Sequence, residues 1–314
     1  MNSNSRPGAL PYRGRFAPSP TGPLHFGSLV AAVGSFLQAR SLGGKWLVRM
    51  EDLDTPRNVG GAADGILRDL ERFALFWDEE VVYQSARNAL YADTLAQLER
   101  EGLVYDCGCS RRGLLDGRYP GTCRSGVPKD RKARSVRMRT DDRPVSMEDQ
   151  TQGTLTQKLE SSVGDFVLLR ADGIFAYHLA VAVDDGLQEI TEIVRGADLL
   201  DSTPRQIHLQ RRLRLPTPAY AHLPVAVNQS GQKLSKQTHA RPVSRADPAA
   251  LLVEVLEFLG QQPDPALRES TAGEILEWGR THWHFERIPR RAKLRWCRDE
   301  LVAPARDAPP AQIS

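Results

Sequence analysis

Arg15-Phe16-Ala17-Pro18-Ser19-Pro20-Thr21-Gly22-Pro23-Leu24-His25-Phe26-Gly27-Ser28 begins as an extended segment, breaks into a turn and ends as the start of a helix. Pro18, Pro20 and Pro23 remove backbone donors and, with Gly22, stop any regular element from running through the middle. On the N-terminal side, residues 13–17 fit a short strand. On the C-terminal side, Leu29, Val30, Val33, Phe36 and Leu37 recur at helical spacing, and Gly43-Gly44 ends the helix. Residues 45–50 then read as a second strand. Strand, helix, strand is the opening of a parallel sheet with crossover helices, so the expected class is α/β.

Further helices are expected over 62–73 and 86–101, the second with Tyr91, Leu95 and Leu98 as its apolar stripe. From 104 to 162 the periodicity fails in a stretch rich in Gly, Pro, Arg and Cys, with a strand-like piece at 135–139; it reads as an insertion in the sheet. Regular α/β character returns at 165–170, 175–183 and 188–194, followed by a helix over 204–213. Residues 225–227 read as a strand, and Asn228-Gln229-Ser230-Gly231 as a turn that delivers Lys233-Leu234-Ser235-Lys236. Beyond Pro248, Leu251, Leu252, Val255, Leu256 and Leu259 fall on one helical face. The organisation predicted is a mobile arm over 1–12, a first half of the catalytic sheet over 13–104 and an insertion over 105–163. A second half over 164–240, a helical region over 241–302 and a disordered tail over 303–314 follow.

At 314 residues and 40% apolar content, the chain can build one large domain or two to three modules. Its net charge of +3 hides an uneven distribution. Between Arg111 and Arg143 eleven Lys/Arg face four Asp/Glu, and the run Arg287, Arg290, Arg291, Lys293, Arg295, Arg298 contains no acid. Clustered arginines suit a phosphate-bearing partner. The polar N-terminus does not read as a signal peptide, and no apolar run approaches a membrane-spanning length. Three of the four cysteines fall within seventeen positions, which is no disulfide framework, so a cytoplasmic location is expected.

The opening stretch also carries chemistry. Joining a carboxylate to ATP brings two anions together, and charge grows on the α-phosphate as pyrophosphate leaves, so donors must converge from several directions. His25 at a helix start, the backbone at Gly27 and Ser28, and Lys233 and Lys236 can supply them, with Mg²⁺ bridging the phosphates.

Together and in this order, the His-x-Gly-Ser and Lys-Leu-Ser-Lys segments resemble the two signature motifs of class I aminoacyl-tRNA synthetases. Arg15-Phe-Ala-Pro-Ser-Pro-Thr-Gly22, Arg49-Met-Glu-Asp-Leu-Asp54, Ala180-Val-Ala-Val-Asp-Asp185 and Ile193-Val-Arg-Gly-Ala-Asp-Leu-Leu200 narrow the resemblance to glutamyl-tRNA synthetases over residues 12–240. It implies a Rossmann-type catalytic sheet of the class I kind, with His25 and Lys236 as the catalytic pair, and His25, Gly27, Ser28, Lys233 and Lys236 on ATP. It further implies Arg15 and Arg195 as readers of the carboxylates of glutamate and Glu51 as acceptor for its α-ammonium group. Tyr177 would line the pocket, with Phe16, Ala17, Pro18 and Ser19 around the substrate. Asp184 and Asp185 also match the family and are expected to position neighbours or to be structural.

Cys107, Cys109 and Cys123 place three soft ligands on one loop-rich segment, as a structural zinc site requires. Tyr119, Asp116 and the distant Cys297 are candidates for a fourth ligand. The spacing Cys-x-Cys-x₉-Tyr-Pro-Gly-Thr-Cys resembles the zinc cluster with a tyrosine ligand of a truncated branch of the glutamyl-tRNA synthetases, which implies Tyr119. Only 78 residues follow Lys236, too few for the anticodon-binding region of the full-length enzymes. The truncated branch transfers glutamate to queuosine in the anticodon loop of tRNA(Asp), and residues 228–240 resemble it in detail. The resemblance thus implies ATP, L-glutamate and queuosine-bearing tRNA(Asp) as partners of a monomer. Two other readings are a short glutamyl-tRNA synthetase charging tRNA(Glu) and a non-catalytic RNA-binding paralogue.

Overall fold

A computed structural model of the chain describes residues 11–110, 118–233 and 242–296. Most of the expected N-terminal arm, Asp116, Lys236, Cys297 and the tail from 303 lie outside the described residues. The chain runs β1 (Arg13–Phe16), α1 (Phe26–Ser41), β2 (Lys45–Met50), α2 (Ala62–Arg72), β3 (Val82–Tyr83), α3 (Asn88–Arg100), β4 (Val104–Cys107) and β5 (Ser135–Met138). Next come β6 (Val145–Asp149), β7 (Gly153–Gln157), α4 (Leu159–Ser162), β8 (Val167–Leu169), α5 (Tyr177–Leu187), β9 (Glu192–Gly196) and α6 (Thr203–Arg212). β10 (Ala219–Leu223), β11 (Val225–Val227), α7 (Pro248–Phe258), α8 (Ala272–Thr281) and β12 (Lys293–Arg295) complete the order.

Two sets of parallel strands make the main sheet: β1, β2 and β3 on one side, β9, β10 and β6 on the other. They meet where the Thr191 N–H donates to the Arg13 carbonyl at 3.0 Å and the Arg13 N–H donates to Thr191 Oγ1 at 2.9 Å. Strand order therefore reverses between β1 and β9, and the crevice beyond the carboxyl ends of such strands is where this class of sheet takes its ligands.

β2 is buried on both faces, as a central parallel strand must be. Trp46, Val48 and Met50 point into a core shared with α1, α7 and α8, whereas Leu47 joins a second core with Tyr91, Leu95 and the apolar residues of α5. Arg49 shares the Leu47 face, so the period of two carries a guanidinium into the interior. α1 is buried nearly all round. It can approach β10 closely because a Cβ at Gly34 would lie only 2.6 Å from Leu223 Cδ1.

β4, β5 and β8 form a separate antiparallel sheet; β8 lies beyond the expected insertion of 105–163, in the stretch assigned to the second half of the catalytic sheet. The hairpin of β6 and β7, and strand β10, have no counterpart in the sequence reading. β6 alternates buried Val145, Met147 and Asp149 with exposed Ser146 and Glu148, but one inward residue is a carboxylate, which blurs the apolar signal. β10, Ala-Tyr-Ala-His-Leu, is buried without alternation and contains a histidine. Among the described residues no helix is long and apolar enough to cross a membrane.

Candidate active site

One open cavity of about 610 Å³ lies at the carboxyl ends of β1, β2, β9 and β10. Arg15, Phe16, Ala17, Pro18 and Ser19 line it from the end of β1, Glu51 from the end of β2, Tyr177 from the start of α5 and Arg195 from β9. His25, Gly27 and Ser28 reach it from the start of α1, and Lys233 from the far side. Every described residue singled out above for substrate or nucleotide thus faces the same space.

His25 is the N-cap of α1. The Ser28 N–H donates to its Nδ1 at 3.3 Å, and the Ser28 hydroxyl stands 3.2 Å from its Nε2. The first turn of α1 contains no acid, so its partial positive charge is not neutralised locally. Lys233 forms a 2.6 Å ion pair with Asp198, and both groups are more than a third exposed. Asp198 belongs to Ile193–Leu200, whose sequence pointed to the site through Arg195 alone. The extra signal was the acid three residues after Arg195, on the loop that ends β9.

Behind the cavity wall, Arg15 and Glu51 meet a network of buried acids and arginines that do not themselves line it. Arg15 donates through Nε and Nη2 to both oxygens of Asp185, at 3.0 and 3.2 Å. The fork expected for a substrate carboxylate is therefore held by the protein, leaving Nη1 outside that pair. Arg49 adds a 2.8 Å contact to Asp185 and lies 3.6 Å from Glu51. Asp184 accepts from Gln84, Arg87 and Tyr91 at 2.7–2.8 Å. Burial drives the Glu51 carboxyl up to about 7, against the pull of Arg49. Burial likewise raises the Tyr177 phenol, whose oxygen is 3.5 Å from Arg195 Nη1.

Away from this cavity, the Cys107, Cys109 and Cys123 sulfurs lie within 4.8 Å of one another. Cys109 and Cys123 are 3.7 Å apart. A tetrahedron with metal–sulfur bonds of about 2.3 Å has edges of about 3.8 Å, so this donor set fits a metal ion. The Tyr119 oxygen sits 3.3 Å from Cys107 Sγ and 3.8 Å from Cys109 Sγ, where a fourth donor belongs. Burial pushes the Cys107 thiol up, but hydrogen bonds from Tyr119, the Cys109 N–H and Arg137 outweigh it and hold the thiol at about 7, which favours a thiolate ligand. The backbone under Tyr119 is fixed by Gly164. Its φ of +73° and the 2.2 Å that a Cβ would leave to the Tyr119 carbonyl admit only glycine.

The family model for the catalytic domain of class I tRNA synthetases (E and Q) matches residues 12–263. A glutamyl-Q tRNA(Asp) synthetase of Dechloromonas aromatica is 56% identical over 294 residues, spanning 90% of this chain and 98% of that protein. One from Thiobacillus denitrificans is 52% identical, over 88% of this chain and 94% of its own length. Among solved structures, a glutamate tRNA ligase of Elizabethkingia meningosepticum superposes with a TM-score of 0.76 at 23% identity, covering 92% of this chain and 68% of the ligase, which supports the fold. The chain belongs to the class I tRNA synthetases of the glutamyl and glutaminyl type, within the glutamyl-Q tRNA(Asp) synthetase family.

Proposed function

We propose that the protein activates glutamate with ATP and transfers it to queuosine in the anticodon loop of tRNA(Asp). The observation that carries this reading is the 56% identity, over nearly the full length, to a relative of that name, joined to a cavity in which a largely buried carboxylate, Glu51, stands among Arg15, Arg195 and Tyr177. Such a cavity suits an amino acid that bears one ammonium group and two carboxylates. Glu51 takes the ammonium group, and Arg195 with the free edge of Arg15 takes carboxylate. An oxygen of the α-carboxylate attacks the α-phosphorus of ATP, a P–O bond forms, and pyrophosphate leaves. His25, the start of α1, Lys233 and Lys236 stabilise the charge that develops on the phosphates. Mg²⁺ bound with ATP, as synthetases use it, would screen the same anions. A queuosine hydroxyl then attacks the glutamyl carbonyl; the new ester forms as AMP departs with the bonding electron pair.

Labelled glutamate and ATP, incubated with tRNA(Asp) that carries or lacks queuosine, test the reading. Label is expected on the queuosine-bearing tRNA alone. Label on tRNA(Glu) instead, with none on tRNA(Asp), refutes it.

Cys107, Cys109, Tyr119 and Cys123 hold one structural zinc ion, a reading supported by the tetrahedral spacing of their donors. Zinc there cross-links the loop between β4 and β5 and performs no chemistry. Cys107→Ser is expected to release a stoichiometric metal, measured with a chromogenic chelator; full retention contradicts the assignment.

The C-terminal basic cluster is one candidate surface for tRNA phosphates, beside the exposed basic residues of the insertion. In the insertion, Arg124 is bound to Asp165 and Glu160, Arg137 to Cys107 and the Asp165 carbonyl, and Arg131 to Cys109. Arg287, Arg290, Arg291, Lys293 and Arg295 are exposed, and none joins an ion pair among the described residues; the same holds for Arg118, Lys129, Lys132 and Arg134 in the insertion. β12, which bears two of the C-terminal group, pairs in parallel with β11, whose Val227 bridges to Lys233. Each phosphate contact contributes about 0.7–0.9 to the slope of log affinity against log salt. Alanine at Arg290, Arg291, Lys293 and Arg295 together is expected to lower that slope for tRNA(Asp) by about 3. An unchanged slope excludes the cluster.

A further inference from the structure

Arg195 reaches the cavity already tied on other sides. Its Nε donates to His222 Nε2 at 3.0 Å and its Nη2 to Thr203 Oγ1 at 2.8 Å. His222 is fully buried on β10, directly opposite Arg195 in the parallel register. Its Nδ1 lies 2.5 Å from Asp149 Oδ2 at the end of β6. The other oxygen, Asp149 Oδ1, accepts the backbone N–H groups of Thr151, Gln152 and His222 at 2.9–3.1 Å. Neither Asp149 nor His222 lines the cavity.

This order of donors and acceptors admits one proton arrangement. A guanidinium has no acceptor, so His222 must present a lone pair at Nε2 and carry its proton on Nδ1, toward Asp149. Burial, with the charges of Arg195 and Arg15, lowers the pKa of His222 and outweighs the opposite pull of Asp149, which keeps the ring neutral. Three backbone N–H groups in turn prevent Asp149 from rotating.

We propose that Asp149 and His222 are positioning residues that lock the His222 tautomer and thereby fix the Arg195 guanidinium for the carboxylate of the substrate. The proposal rests on Arg195 being a carboxylate reader in the activation reaction described above.

A near-isosteric change tests it. In Asp149→Asn the amide oxygen must remain on the three backbone N–H groups, because an NH₂ there would set donor against donor. The NH₂ then faces His222 Nδ1, the imidazole proton moves to Nε2, and it meets the Arg195 Nε–H head on. Asp149→Asn is expected to raise KM for glutamate about 10- to 100-fold, with KM for ATP within twofold of the parent enzyme. His222→Leu removes the acceptor and has the same effect. His222→Gln restores an amide oxygen near Nε2 and is expected to recover most of the loss. The assay is ATP–pyrophosphate exchange with tRNA(Asp) present. Imidazole ¹⁵N shifts of the parent protein give a readout independent of any variant: Nδ1 protonated and Nε2 bare supports the lock, and the opposite tautomer overturns it.

Arg195→Lys separates the two levels. If it raises KM for glutamate at least tenfold while Asp149→Asn leaves that KM within twofold, the lock fails and the reading of Arg195 stands. If Arg195→Lys itself leaves KM for glutamate unchanged, the reading of Arg195 fails and takes the lock with it. Equal rises in both KM values for Asp149→Asn, unrelieved in His222→Gln, mark a general packing defect and also overturn the proposal.

Discussion

Asp185→Asn is expected to lower the unfolding free energy by about 3–5 kcal/mol. Asp185 is buried and shares its two oxygens between Arg15 and Arg49, which are also buried. An amide in its place removes the charge paired with Arg15 and the nearest of the charges around Arg49, and turns one acceptor into a donor aimed at them. Asp184, 3.8 Å from Arg49 Nε, and Glu51, 3.6 Å from Arg49 Nη2, keep Arg49 partly compensated, so the loss falls most heavily on Arg15. Against a typical domain stability of about 5–15 kcal/mol, this loss is a fifth or more of the whole. The pH dependence has a definite sign. Burial alone would push the Asp185 carboxyl up, but the two arginines overcome it and hold the carboxyl at about 2, below its unfolded value near 3.8. Its contribution is therefore present above about pH 4 and is lost as pH falls toward 2. Urea unfolding at pH 7 and pH 3 measures both effects. A change below about 1 kcal/mol at pH 7 with an unchanged m-value would mean that the arginines find other partners.

The same network marks the boundary of what the sequence could reveal. The first strand, helix and second strand were legible because Pro18, Pro20 and Gly22 isolate them and the apolar residues of α1 recur every three to four positions. The cavity was legible because its residues sit where strands end, at Arg15, Glu51 and Arg195, next to breaks in the pattern. Asp184 and Asp185 could be expected to position something, but not what: Arg49 reads locally as one more residue of an apolar strand. Its burial becomes meaningful only when α5 packs on that face of β2. Asp149 and His222 lay beyond reach for a related reason. They meet through the pairing of β6 with β10, two strands whose buried polar residues erase the periodicity that would have announced them. Polar side chains that serve the site from inside the core are thus the ones hardest to find from sequence, because they look like interruptions of the core.

Glu51 offers the largest functional effect, and its direction follows from the same burial. A carboxyl raised to about 7 is mostly protonated at pH 6, whereas the acceptor of an ammonium group must be ionised. Glutamate binding below pH 7 must then expel a proton, and KM for glutamate is expected to rise about tenfold for each pH unit below 7. Stability moves the opposite way in the ligand-free protein. The folded pKa lies above the unfolded value near 4.5, so this group favours the fold most fully below about pH 4.5 and loses that contribution as pH rises through 7. Bound ammonium restores the compensation, so glutamate should raise the melting temperature more at pH 8 than at pH 6. Glu51→Gln keeps the shape but leaves the substrate's charge buried without a counter-ion. It is expected to raise KM on the order of 10²- to 10³-fold and to flatten the pH profile. Pyrophosphate exchange from pH 6 to pH 8, with calorimetry in two buffers of different ionisation enthalpy, reads the KM and the proton directly. A parent enzyme whose KM is flat across that range, or a Glu51→Gln profile parallel to it, would place the ammonium acceptor on another residue.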